Sequence, residues 1–184
     1  MSKIGGWEIE ISVNELPQKV ATGFTDVFEN ITGARYTPLS YVGKQLVNGI
    51  NYAIIAEQTI VSGETIKNLV LVILNERPKD EIESEFTIVS IIPIVEGGQK
   101  YGGTHIVDEF KIPDDPQAAF DELFKNNLGS SVEPLLYVGS KVVNGIEFKY
   151  VVKVTPVAPN ASVAVKVLTI NTHTKNVLLE DIFN

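Results

Sequence analysis

Apolar and polar side chains alternate over Trp7-Glu8-Ile9-Glu10-Ile11-Ser12-Val13, which is the period of a half-buried strand. The pattern then changes. Leu16, Val20, Phe24, Val27, Phe28 and Ile31 recur at three- and four-residue steps, one face of a helix, with Pro17 in its first turn and Gly33 as its stop. Runs rich in β-branched and aromatic residues follow over 36–46, 50–61, 69–74 and 86–95 and predict antiparallel strands. Asn48-Gly49 joins the first two runs, and that dipeptide between apolar segments is a strong hairpin signal.

The same order returns in the second half of the chain. Fifteen residues from Pro38 to Tyr52 and fifteen from Pro134 to Phe148 align without gaps, and nine are identical. The same offset pairs Gly6 with Gly102, Pro17 with Pro113, Phe24 with Phe120, Phe28 with Phe124, Asn30 with Asn126, Gly33 with Gly129 and Asn75 with Asn171. A fixed-offset match of this length is an internal duplication. In the second copy Asp114 or Asp115 is expected to cap the helix, Pro116 to open it, and Phe120, Leu123, Phe124 and Leu128 to face inward. Its strand runs cover 132–142, 146–157, 163–170 and a shortened 177–183. Each copy therefore predicts an α+β unit, one helix packed across an antiparallel sheet of four to five strands. The boundaries are residues 1–96, a glycine-rich junction over 97–103, and residues 104–184 with altered loops.

Composition narrows the chemistry. The 184 residues carry 15 basic and 23 acidic side chains, a formal charge of −8, and neither half is basic. Nucleic-acid binding driven by cation contacts to phosphate is not expected. The chain has no cysteine, which removes disulfides, thiolate metal sites and cysteine nucleophiles. No apolar leader follows Met1, and the run Leu69–Leu74 is far shorter than the roughly 20 residues that span a bilayer. A cytoplasmic protein without a membrane segment is the expectation.

The loop Gln45-Leu46-Val47-Asn48-Gly49 matches every fixed position of Gln-x-Val-x-Gly, the marker of the cystatin superfamily. Ile50-Asn51-Tyr52 is similar to the Thr-Asn-Tyr that often follows it, and Gly5 and Gly6 stand where the family has a glycine ahead of its helix. Pro78, in Asn75-Glu76-Arg77-Pro78-Lys79, is similar in place to the proline of the family's second hairpin loop, although no leucine precedes it. The first copy thus resembles a cystatin of the cysteine-free stefin type. The second departs: Lys141-Val142-Val143-Asn144-Gly145 lacks the glutamine, and Asn171-Thr172-His173-Thr174-Lys175 lacks the proline.

The resemblance implies two tandem cystatin-like units, the first a reversible inhibitor of papain-like cysteine proteases. Gly5, Gly6, Gln45, Leu46, Val47, Asn48, Gly49 and Pro78 would meet the protease cleft, and Lys141, Val142, Val143, Asn144 and Gly145 would form a secondary edge. Glycines at such an edge would let backbone approach a protease wall closely. The alternative is a non-inhibitory module binding another protein or a ligand, since a tight hairpin needs Asn48-Gly49 for its own geometry. Gln45 weighs against that alternative, because a hairpin turn as such has no need of it. An enzyme is not expected. His105 and His173 lack metal-ligand spacing, Gly139-Ser140-Lys141 does not complete a nucleophile elbow, and no cofactor motif is present. Oligomeric state has no sequence signal here.

Overall fold

A computed structural model describes residues 6–62, 64–78, 84–98, 103–125, 129–158 and 161–183. The chain divides into two compact units, Met1–Glu96 and Gly97–Asn184.

In the first unit β1 (Trp7–Val13) leads into α1 (Gln18–Phe28), followed by β2 (Ala34–Val47), β3 (Gly49–Ser62), β4 (Glu64–Pro78) and β5 (Ser84–Val95). The five strands form one antiparallel sheet in chain order. Val20, Phe24 and Phe28 of α1 are buried with Tyr41, Tyr52, Ile54, Val70, Val72 and Leu74, so the apolar stripe of the helix and alternate positions of the strands share one core. Full burial of each such side chain contributes roughly 1.5–3 kcal/mol. Gly23 lets the helix approach β5, because a Cβ there would stand 2.4 Å from Cγ of Phe86. Residues Leu69 to Leu74 are all buried, so β4 is covered on both faces through its middle.

The second unit holds β6 (His105–Glu109), α2 (Asp114–Phe124), β7 (Ser130–Val143), β8 (Gly145–Pro156), β9 (Ala164–Asn171) and β10 (Val177–Asp181), again one antiparallel sheet in the order β10-β9-β8-β7-β6. Phe120 packs with Tyr137, Phe148, Tyr150, Val152, Leu168 and Ile170. The duplication reaches the backbone: register slips at Pro38/Ser40 and Tyr41/Gly43 in β2–β3 recur at Pro134/Leu136 and Tyr137/Gly139 in β7–β8.

The expected α+β class, with two cystatin-like units of one helix across a sheet, is corrected by this architecture. Among the described residues, ten strands in two five-stranded antiparallel sheets make the fold mostly β, and helix is confined to two segments of 11 residues each. Periodicity marks only the apolar centre of a strand. For β4 that centre is Leu69–Leu74, yet the strand pairs in register from Ser62↔Glu64 of its neighbour out to Pro78↔Ser84. Polar strand ends carry no hydrophobic signal, and they lengthen strands that already outnumber the helical residues.

Local details differ too. Asp114 and Asp115 lie in the first turn of α2 rather than capping it, where their charge complements the helix dipole; Pro113 holds the cap position. Most of the expected junction, residues 99–102, lies outside the described residues. Gly97 bridges Thr104, and the amide of Gly98 donates to the carbonyl of Thr104 at 3.1 Å.

Candidate functional site

Strand register brings three stretches of the first unit to one end of its sheet. Trp7 pairs with Gln45, so exposed Gly6 precedes β1 beside the end of β2. β2 and β3 close at Val47↔Gly49 around Asn48. Ile50 then pairs with Glu76, two residues before Pro78 at the exposed end of β4. Gly5 and residues 79–83 lie outside the described residues. Pro78 itself is a strand residue paired with Ser84, not part of a turn. At the hairpin tip Leu46 is 52% and Val47 41% exposed, with Asn48 exposed between them and Gly49.

Two polar networks brace this end, one on each face of the sheet. On one face a row of amides crosses three strands. Asn51 Nδ2 donates to Gln45 Oε1 at 3.0 Å, Asn75 Nδ2 donates to Asn51 Oδ1 at 2.8 Å, and Arg77 Nε donates to Asn75 Oδ1 at 3.0 Å. Gln45 thus has a use inside the sheet, which the sequence reading of that residue misses. Neighbouring residues of a strand point to opposite faces, so the second network lies on the helix side. There the Glu76 carboxylate, 7% exposed, accepts from Tyr52 Oη and Ser84 Oγ at 2.7 Å each and pairs with Lys19 of α1. Burial by itself raises the Glu76 carboxyl, but the bonds from Lys19, Ser84 and Tyr52 outweigh it and hold the group below its ordinary value. The Tyr52 phenol is raised, first by burial and then by its bond to Glu76.

A carboxyl depressed in the folded protein adds stability that is present above its unfolded pKa and is lost as pH falls through the lower folded value. Glu76→Gln is therefore expected to lower stability at neutral pH by about 1–3 kcal/mol. It should also flatten the fall of Tm below about pH 4. A variant whose acid limb matches that of the parent protein would show that Glu76 is not held in this way.

Gly49 has φ +96°, and a Cβ built on it would meet the backbone oxygen of Glu76 at 2.2 Å. The glycine is thus demanded from within the sheet by β4, and its missing side chain faces the protein rather than a partner. Gly145 follows the same rule, with φ +94° and His173 Cβ at 2.6 Å from the built atom.

In the second unit Val142, Val143 and Ile146 are 59%, 39% and 41% exposed at the tip of β7–β8, with Lys141 half-buried and Asn144 exposed. Its neighbouring loop is cut short. β4 continues three residues past Asn75, roughly 10 Å at strand rise, whereas the chain after Asn171 turns at once through Thr172–Asn176 into β10. Phe148 and Thr172 stand where the first unit has Tyr52 and Glu76, so the buried carboxylate has no counterpart there.

Other chemistry is sparse among the described residues. His105 and His173 are exposed, and no group of three or more histidine and acidic side chains gathers as a metal site. No helix is long and apolar enough to cross a membrane. A pocket of about 360 Å3 lies beside the end of α1 and the start of β2, lined by Phe24, Phe28, Ile31, Arg35 and Tyr36, at the opposite end of β2 from Leu46 and Val47.

Asn51 and Tyr52 follow the loop motif and Asn75 and Glu76 precede Pro78, but motif reading gives none of them, nor Lys19, a role, because their contacts arise across strands. Two faint signals exist: the pairing of Asn75 with Asn171 in the repeat, and the change from Tyr52 to Phe148. No protein-family model matches the chain, and no curated protein matches it at a significant level.

Proposed function

We propose that the first unit reversibly inhibits a papain-like cysteine protease by entering its active-site cleft with the end that carries Gly6, Leu46, Val47 and Pro78. One observation carries the reading: three stretches separated in sequence meet at one sheet end, with two aliphatic side chains exposed on a braced hairpin between them. An elongated cleft that accepts apolar side chains matches that surface. Because the β2–β3 hairpin is held before contact, little of its conformational entropy is lost on docking. No bond needs to be cut, so occlusion suffices. The likeness of Gln45–Gly49 to the cystatin loop supports the same reading.

A second reading, a binding module with a different partner, has its own support. Gln45 bonds within the sheet and Gly49 faces Glu76, so both motif residues have uses that require no protease.

Titration of active-site-calibrated papain with the full chain separates the two. Loss of activity with defined stoichiometry, at nanomolar to micromolar concentration, is the expected result. A folded chain that leaves papain and several related enzymes fully active at high micromolar concentration would transfer the function to the binding-module reading.

A further inference from the structure

Asn75 and Asn171 occupy equivalent places in the two copies, the first on β4 and the second at the end of β9. Both are buried. In each copy the side-chain amide donates to the carbonyl of the hairpin-tip asparagine: Asn75 Nδ2 to Asn48 O at 3.5 Å, and Asn171 Nδ2 to Asn144 O at 3.4 Å. The side-chain oxygens differ in what they hold. Asn75 Oδ1 accepts from Arg77 Nε at 3.0 Å, whereas Asn171 Oδ1 accepts from the backbone amides of His173 and Thr174 at 3.0 and 2.9 Å.

We infer that Asn75 is a positioning residue, a clasp that ties the β2–β3 tip to the outgoing end of β4 so that the tip and that strand end meet a partner as one surface. This role rests on the inhibitory reading of the first unit. The chemistry suits it. An asparagine side chain both donates and accepts, so one residue holds the hairpin tip and the end of its own strand at once, and a buried amide loses its bonds only at the full cost of desolvation. What the two oxygens hold differs, a side chain of β4 in one copy and turn amides in the other, yet the bond to the tip carbonyl is the same. That retained half of the contact marks the clasp as a property of the tip rather than of what either oxygen holds. Without it the tip samples other conformations, and the fraction competent to dock falls, which slows association without loosening contacts once formed.

The test uses the full chain with Asn75→Leu, which removes both halves of the clasp. Asn75→Asp serves as the second variant; it keeps the shape and the acceptor for Arg77 but loses the donor to Asn48 O and to Asn51 Oδ1. Amide hydrogen exchange over residues 46–50 is expected to quicken about tenfold in both, while residues 54–56 stay as they are, and association with papain is expected to slow by a similar factor at an unchanged dissociation rate. Asn171→Leu should quicken exchange over residues 142–146 and leave 46–50 alone. Unchanged exchange at the tip in a folded Asn75 variant would overturn the clasp whatever papain does. Faster exchange with an unaltered association rate would overturn its positioning role. If the unmodified chain does not inhibit papain and tip exchange still quickens, the inhibitory reading falls and the loop clasp stands.

Discussion

Changing Leu46 and Val47 together to glutamate is expected to abolish papain inhibition while leaving the fold and its thermal midpoint in place. Both side chains are largely in water, at 52% and 41% exposure, so the protein gives up little packing when they change. Surface substitutions of this kind usually alter stability by no more than about 0.5 kcal/mol. In a docked complex the same two positions would be covered, and each carboxylate would have to shed its hydration against an apolar wall. Central apolar anchors of an interface commonly cost about 2 kcal/mol or more apiece when lost, so the inhibition constant should rise by more than about a hundredfold. The matching pair in the second unit, Val142→Glu with Val143→Glu, should leave papain inhibition where it was. Inhibition that survives in the Leu46/Val47 variant would move the docking surface away from this hairpin.

Gly49→Val is expected to cost the fold about 2–4 kcal/mol, a large fraction of the margin of a small domain. Two penalties combine. The positive φ is one that β-branched residues rarely adopt, and the added Cβ would run into the Glu76 carbonyl oxygen. Gly33 provides the control within the same unit: its φ is +86°, and nothing lies within 4 Å of a built Cβ. Gly33→Ala should therefore show the dihedral strain alone, about 1 kcal/mol, and Gly49→Ala should exceed it by the cost of displacing β4. Equal losses in urea denaturation for the two alanine variants would remove the close approach as a cause. Loss of inhibition in any Gly49 variant reports first on the sheet, and for that reason Leu46 and Val47 make the cleaner test of docking.

The turn chemistry of Asn48-Gly49 is legible because positive φ restricts the residue there almost regardless of context. The helical stripe of Val20, Phe24 and Phe28 is legible because its period survives any partner. The repeat is legible by simple alignment. What sequence pattern does not reveal is what strands do at their polar ends. Glu64 and Pro78 bound a strand whose apolar signal spans only Leu69–Leu74, and such extensions add to the mostly β character of the fold. The candidate site follows the same division. Leu46 and Val47 stand at the tip where the motif puts them, but the amides of Gln45, Asn51 and Asn75 meet only because three strands happen to be in register. The sequence reading places Glu76 only in the loop segment around Pro78, and nothing local marks its carboxylate as buried. Its burial under Lys19, Tyr52 and Ser84 joins four elements, and no local pattern encodes a contact of that kind.

The unbroken run from Leu69 to Leu74 has a consequence for the newborn chain. Six consecutive apolar residues rich in β-formers, without charge or proline, can template cross-β association whenever they are not yet covered. They are flanked by Lys67 and Asn68 on one side and by Asn75, Glu76 and Arg77 on the other, the kind of polar brackets that hold such segments apart during synthesis. Glu76 and Asn75 therefore act twice in the life of the protein: first as gatekeepers that keep nascent chains from one another, and later as the struts of its exposed end.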